Sequence, residues 1–169
     1  MKKGFTIIEL LVSIAIVATI TALGVMTFTN YNEEKQLKNV AVELAGKIGE
    51  IRLRAFSGQK VEGAVPKYFG LQVEGDQASY SLFADFAGDC WFDASDILIE
   101  KIMLPSKVLF QAIPGQKVCY KTNEAMNFVC STSGCDKDQQ QIFYLAAESG
   151  GASKKVIVDF QNGMARVEE

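Results

Sequence analysis

Four aspartates crowd one short segment of this 169-residue chain: Asp85, Asp89, Asp93 and Asp96. Carboxylate oxygens close in sequence can supply the several oxygen ligands that Ca²⁺ prefers, so the segment is a candidate calcium site. The spacing differs from the EF-hand pattern, whose alternating ligands end in a glutamate. Two other interpretations stay open. Aspartate also stabilises turns by binding its own backbone, and paired carboxylates can carry out acid–base catalysis.

Four cysteines, Cys90, Cys119, Cys130 and Cys135, all lie in the part of the chain that we expect to be exported. An even number of cysteines in an oxidising compartment favours disulfides. Three pairings are possible. A hairpin between Cys119 and Cys130 would join those two and leave Cys90 with Cys135. A zinc site is the alternative, but the closest pair is spaced too widely for the usual zinc motifs.

The chain contains no histidine, and its net charge is −3 with an isoelectric point near 5.1. Without histidine, the Ser-His and Cys-His nucleophile pairs and every metal motif that uses histidine are excluded. An acidic chain has no overall electrostatic attraction for nucleic acid, although a local basic patch would escape this count. We therefore expect neither an enzyme nor a resident cofactor other than calcium, and we do not expect a nucleic-acid partner.

An uncharged segment from Leu10 to Asn32 follows Lys2 and Lys3 and precedes Glu33 and Glu34. About 20 apolar residues in a helix cross the hydrocarbon core of a membrane. Lysines on one side then keep the N-terminus in the cytoplasm, and the rest of the chain is exported. The sequence therefore predicts a single-pass segment in the inner membrane.

Two ordinary interpretations of this segment fit less well. A secretory signal has a shorter apolar run and a small residue three places before its cleavage site, which Ile20-Thr21-Ala22 lacks. A plain membrane anchor gives no reason for Glu9, because a carboxylate inside the membrane needs a partner. Thr6 and Glu9 also have the spacing of a helix capping box.

Residues 4–12, Gly-Phe-Thr-Ile-Ile-Glu-Leu-Leu-Val, resemble the leader junction of type IV pilins and type II secretion pseudopilins. The resemblance implies that a prepilin peptidase cleaves between Gly4 and Phe5 and methylates the new amine of Phe5. It implies other pilin subunits and an inner-membrane assembly platform as partners. By the same analogy Glu9 pairs with the Phe5 amine of a neighbouring subunit. Many pilins have a proline late in this apolar half, and residues 22–28 contain none.

After Glu33 the pattern becomes amphipathic, with apolar residues at the three-to-four spacing of one helix face. Ser57-Gly58 is a natural helix end, because glycine favours the C-terminal capping position. The expected organisation is a leader at 1–4, a transmembrane or filament-core helix at 5–32, an amphipathic helix at 33–58 and a β-rich exported domain at 59–169.

Short alternating segments separated by glycine and proline follow the helix, which predicts antiparallel strands. The expected strands are 69–73, 78–83, 97–103, 108–113, 117–121, 128–131, 141–146, 156–160 and 164–167. Asn162-Gly163 predicts a two-residue hairpin turn. The fold class is therefore α+β, with a long N-terminal helix packed on antiparallel sheets.

The segments 82–89 and 158–167, with Asp93 and Asp96, resemble the H-type minor pseudopilins and related minor pilins. This resemblance implies a minor, non-enzymatic subunit of a filament in a type II secretion or type IV pilus system. The alternative is a membrane-anchored exported module that binds DNA, a secreted substrate or a surface ligand. The sequence leaves the choice of machine open.

Overall fold

The computed structural model describes residues 6–111, 115–123, 140–148, 150, 152–159 and 163–168, with only the backbone described for residues 23–30. One helix, α1, extends over Ile7–Phe56 without a break. Its 50 residues correspond to a length of about 75 Å. It ends at Ser57, and Gly58 follows at φ +60° in the left-handed region that glycine adopts at low cost. The predicted helix end at Ser57-Gly58 is confirmed.

Eight antiparallel strands form two sheets in the described part of the chain. The first sheet has the order β3-β2-β1-β5 and the second has the order β4-β6-β7-β8. The strands are β1 (Tyr68–Val73), β2 (Ser79–Asp85), β3 (Ile97–Met103), β4 (Val108–Phe110), β5 (Lys117–Lys121), β6 (Gln141–Ala147), β7 (Ser153–Asp159) and β8 (Met164–Glu168). The predicted α+β class is confirmed, and so is the β1–β2 hairpin. The strand predicted at 128–131 lies outside the described residues.

The second half of α1 packs across both sheets and closes one hydrophobic core. The buried side chains of this helix follow the predicted amphipathic stripe: Leu37, Val40, Ala41, Leu44, Ile48, Ile51 and Ala55. They meet buried apolar residues of both sheets in a single cluster. Burial of apolar surface is the main stabilising term in such a core, so the two sheets depend on the helix that joins them.

Three polar contacts add to this packing. Lys47 Nζ lies 2.6 Å from a carboxylate oxygen of Glu100 on β3, and Lys107 Nζ lies 3.3 Å from Glu33 at the other end of the domain. The buried hydroxyl of Tyr120 on β5 donates a hydrogen bond of 2.9 Å to the carbonyl of Gly163. The last contact joins the first sheet to the hairpin at the end of the second.

The hairpin between β7 and β8 differs from the prediction. Asp159 pairs with Met164, so four residues separate the last paired positions, whereas a two-residue turn at Asn162-Gly163 requires two. Asn162 itself lies outside the described residues. The N–H of Gly163 donates to the carbonyl of Asp159 at 2.7 Å, and Gly163 has φ +65°. The prediction was wrong because an Asn-Gly pair shows only that positive φ is accessible there at low cost. The length of the loop is set by the register of the two strands.

Candidate functional site

The N-terminus of α1 is closed by its own side chains. The Glu9 N–H donates to the Thr6 hydroxyl oxygen at 3.3 Å, and the Thr6 N–H donates to Glu9 Oε2 at 2.9 Å. The Thr6 hydroxyl also donates to Oε2 at 2.8 Å. This is the reciprocal capping box that the spacing predicted, and it satisfies two N–H groups that a helix leaves unpaired at its start. Gly4 and Phe5 lie outside the described residues.

The first half of α1 projects from the domain. From Ile7 to Ala22 the side chains are exposed, and the nine large apolar ones are between 52% and 80% exposed. Three hydroxyls in this half donate to the carbonyl four residues earlier, those of Ser13, Thr19 and Thr21, at 2.7–2.8 Å. These three hydroxyl donors are therefore satisfied within the helix, which lowers the cost of placing them in an apolar environment.

The sequence predicts a transmembrane span at residues 5–32. Within the residues that the structure describes, no helix is both long enough and apolar enough to cross a membrane.

The aspartate segment after β2 is organised by backbone hydrogen bonds. The buried carboxylate of Asp85 accepts from the N–H groups of Gly88 and Cys90, at 2.5 and 2.7 Å. The carboxylate of Asp96 accepts from the N–H groups of Phe86 and Asp93, both at 3.1 Å. Burial raises the pKa of Asp96, and these N–H donors oppose that shift. The same carboxylates therefore hold the loop in its conformation.

The two remaining aspartates bind the chain just after them. Asp89 accepts from the N–H of Trp91 at 2.8 Å, and Asp93 accepts from the N–H and the hydroxyl of Ser95 at 2.6 Å. Hydrogen bonds from Ser95 lower the pKa of Asp93. Among the described residues, no group of three or more Cys, Asp or Glu side chains is arranged to hold a metal. Calcium binding by the four aspartates stays a prediction from the sequence alone.

A disulfide joins Cys90, in the aspartate loop, to Cys119 on β5, with a Cα–Cα distance of 6.1 Å. The suggested pairing of Cys119 with Cys130 is therefore wrong, and so is that of Cys90 with Cys135. The spacing did not reveal this pairing because it depends on a non-local register, in which β1 lies between β5 and β2 and the loop that carries Cys90 follows β2. Cys130 and Cys135 lie outside the described residues. The disulfide packs against Phe83, with Tyr68 and Phe92 around it.

A buried lysine beside this disulfide was not anticipated. The ammonium of Lys117 lies 3.5 Å from the ring centroid of Trp91, a cation–π contact that fastens the aspartate loop to β5. Burial lowers the pKa of Lys117, and the charges of Asp89 and Asp85 oppose this shift. The available signal was a lysine followed by three apolar or aromatic residues, Val118 to Tyr120, together with the single tryptophan of the chain.

The sequence comparison supports the N-terminal resemblance. Residues 1–25 match the family model described as the prokaryotic N-terminal methylation motif. The chain has a prepilin-type N-terminus. This motif supports membership of the type IV pilin and pseudopilin family, processing by a prepilin peptidase and an N-terminal membrane anchor. No curated protein and no solved structure matches the chain. The likeness of the tail to the H-type minor pseudopilins stays a prediction.

Proposed function

We propose that this prepilin-type chain is a minor pilin or pseudopilin, a structural subunit that enters a pilus-like filament through the first half of α1. The observation that carries the proposal is the exposed apolar helix that follows the N-terminal methylation motif. The protein domain leaves this half of the helix uncovered, and exposed apolar surface of this extent favours burial in lipid or protein. The filament serves a type II secretion or type IV pilus system.

Before assembly, the uncharged segment from Leu10 to Asn32 holds the chain in the inner membrane, with the lysines of the leader in the cytoplasm. The β-rich domain is exported. The disulfide between Cys90 and Cys119 supports this topology, because disulfides form and persist in oxidising compartments. The internally bonded hydroxyls of the first half of α1 support both locations, since lipid and a packed helix bundle offer few hydrogen-bond partners.

Glu9 has a double role in this proposal. Its Oε2 atom caps the helix through Thr6. A carboxylate has about four lone-pair positions, so it can also accept from the methylated amine of Phe5 on a neighbouring subunit. Cleavage after Gly4 creates that amine. A buried ion pair is a weak source of stability but can fix register, and register is what a filament requires. We therefore propose that Glu9 sets the axial position of each subunit.

Three variants separate pairing from capping. Glu9→Gln retains a capping group but removes the charge, Glu9→Ala removes both, and the matched control Thr6→Ala removes the cap but keeps the charge. We expect all three to be inserted in the membrane and cleaved. Both Glu9 variants should enter filaments poorly, while Thr6→Ala should assemble after losing about 1 kcal/mol of helix stability.

The measurement is the ratio of filament-bound to membrane-bound subunit after shearing, with mass spectrometry of the mature N-terminus in parallel. Normal assembly of Glu9→Gln with defective Thr6→Ala would leave capping as the only role of Glu9. A mature N-terminus other than methylated Phe5, or absence of the wild-type chain from filaments, would refute the proposed function itself.

A further inference from the structure

An exposed polar stripe lies on α1 at the point where its uncharged segment ends. Tyr31, Glu34, Lys35 and Lys38 recur at the three-to-four spacing of one helix face, and all four are exposed. Together with Asn39 they line a concavity of about 360 Å³. We call these five residues the basal stripe. The buried residues of the helix lie on another side of it, so the domain leaves the basal stripe uncovered.

The three charges of the basal stripe have no partner within the part of the chain that the structure describes. Glu34 and Lys38 are one helical turn apart and Lys35 lies between them in the sequence, yet none of these three side chains takes part in an ion pair or hydrogen bond there. The neighbouring Glu33 differs, because its carboxylate lies 3.3 Å from Lys107 Nζ. Two ammonium groups and one carboxylate are therefore available to a ligand.

The level of the basal stripe in a membrane follows from the length of the helix. The uncharged segment begins at Leu10, and about 20 helical residues cover the roughly 30 Å of a hydrocarbon core. In the proposed membrane-held state the core therefore ends near residue 30. The headgroup layer adds about 5–8 Å beyond the core, which corresponds to Tyr31 through Lys35 along the axis. Lys38 begins about 12 Å beyond residue 30, and its long side chain can extend back toward the headgroups.

The charges of the basal stripe match a lipid headgroup that carries both signs. A phosphodiester is an anion that two lysine ammonium groups can bind, and a primary ammonium on the same headgroup can donate to the Glu34 carboxylate. Phosphatidylglycerol has no ammonium group, so Glu34 would repel its phosphate without compensation. Phosphatidylcholine has a quaternary ammonium group, which has no N–H to donate. Phosphatidylethanolamine is the lipid of these three that offers a partner to all three charges.

We propose that the basal stripe binds the headgroup of one phosphatidylethanolamine molecule in the outer leaflet of the inner membrane, before the subunit enters a filament. Lys35 and Lys38 bind the phosphate, and Glu34 accepts a hydrogen bond from the primary ammonium. The ring of Tyr31 lies at the boundary between acyl chains and headgroups, where tyrosine is enriched in membrane proteins. The bound lipid fixes the depth and the rotation of α1 in the membrane. The inference rests on the proposed function, because it requires the membrane-held state.

Native mass spectrometry of the full chain in detergent tests the lipid preference directly. The chain is offered equal amounts of phosphatidylethanolamine, phosphatidylglycerol and phosphatidylcholine with identical acyl chains, and the masses of the adducts distinguish them. We expect phosphatidylethanolamine to be retained about fivefold more than either of the other two, which is the upper range for one exposed ion pair. Equal retention of the three lipids, or stronger retention of phosphatidylglycerol, would overturn the inference.

Two pairs of variants assign the preference to particular side chains. Glu34→Gln should bring the ratio of phosphatidylethanolamine to phosphatidylglycerol adducts to about one, whereas Glu43→Gln, at an exposed position outside the stripe, should keep the wild-type ratio. Lys38→Gln should weaken the retention of all three lipids about fivefold relative to Lys60→Gln, an exposed lysine beyond the other end of α1. The same ratio in both glutamate variants, or the same retention in both lysine variants, would contradict the inference.

A photo-crosslinking amino acid at position 39 of the full chain tests the contact in cell membranes. The matched control carries the same group at Gln59, an exposed position beyond the other end of α1. We expect position 39, and not position 59, to gain the mass of phosphatidylethanolamine in the membrane fraction. A chain that enters filaments but gives only protein adducts, or none, at position 39 would refute the inference and leave the proposed function standing. Absence of the wild-type chain from the membrane fraction would refute both.

Discussion

The disulfide between Cys90 and Cys119 gives the most quantitative prediction. It closes a loop with a sequence separation of 29 residues. A cross-link of that length removes about 3.6 kcal/mol of chain entropy from the unfolded state in the loop-closure model. Both cysteines are nearly fully buried, so the change Cys90→Ala with Cys119→Ala adds a small loss of packing. Globular domains are stable by about 5–15 kcal/mol, and the double variant should therefore lose a large part of that margin.

The expected consequence is a thermal midpoint about 15 °C lower, if the β-rich domain unfolds with about 2.1 cal/mol/K of entropy per residue over about 110 residues. Denaturant unfolding of the full chain in detergent, followed by circular dichroism, measures the free energy directly. The matched control is Cys130→Ala with Cys135→Ala. If those two are joined, they close a loop of five residues, which the same entropy model values at about 2 kcal/mol.

Peptide mapping without reductant checks the premise. It should find Cys90 linked to Cys119 and no free thiol in the native protein. A loss below about 1 kcal/mol in the Cys90 and Cys119 variant would refute the loop-closure reasoning. A peptide that links Cys119 to Cys130 would refute the pairing.

Two further substitutions should destabilise the domain for different reasons. A Cβ at Gly70 would overlap the ring of Phe83 on the neighbouring strand, so Gly70→Ala should lower the free energy of unfolding by about 1–3 kcal/mol. The control Gly46→Ala, in open space, should raise it by up to about 1 kcal/mol. Thermal midpoints of the two variants that shift in the same direction would contradict the packing. Tyr120→Phe leaves the buried carbonyl of Gly163 without its donor, so the free energy of unfolding in denaturant should fall by about 1–3 kcal/mol. The control is Tyr144→Phe, at a partly exposed ring. A loss for Tyr120→Phe no larger than that of the control would argue against the hydrogen bond.

The elements that the sequence predicted well are those set by local interactions. The capping box depends on residues three apart, and the ends of α1 follow from Thr6 and from Gly58. The amphipathic stripe and the alternating strands are periodic patterns of burial, which a sequence displays directly. The aspartates follow the turn-stabilising alternative, since each accepts a hydrogen bond from at least one backbone N–H within ten residues.

The disulfide was not predictable in this way because its partners meet through a non-local register. Gly70 on β1 pairs with Phe83 on one side and with Cys119 on the other. This register brings Cys119 beside the end of β2, where Asp85 turns the chain and returns Cys90. The contact between Lys117 and Trp91 follows from the same arrangement.

The attachment of α1 to both sheets determines how the domain would carry load. Its buried face extends from Leu37 to Ala55, about 27 Å along the helix axis, and ion pairs join it to β3 and to the residues before β4. Traction applied along the helix would act on this interface in shear, so the whole length of packed side chains would resist together instead of separating one after another. The β-rich domain can then be pushed or pulled by its helix without the load passing through its hairpins or its disulfide-bridged loop.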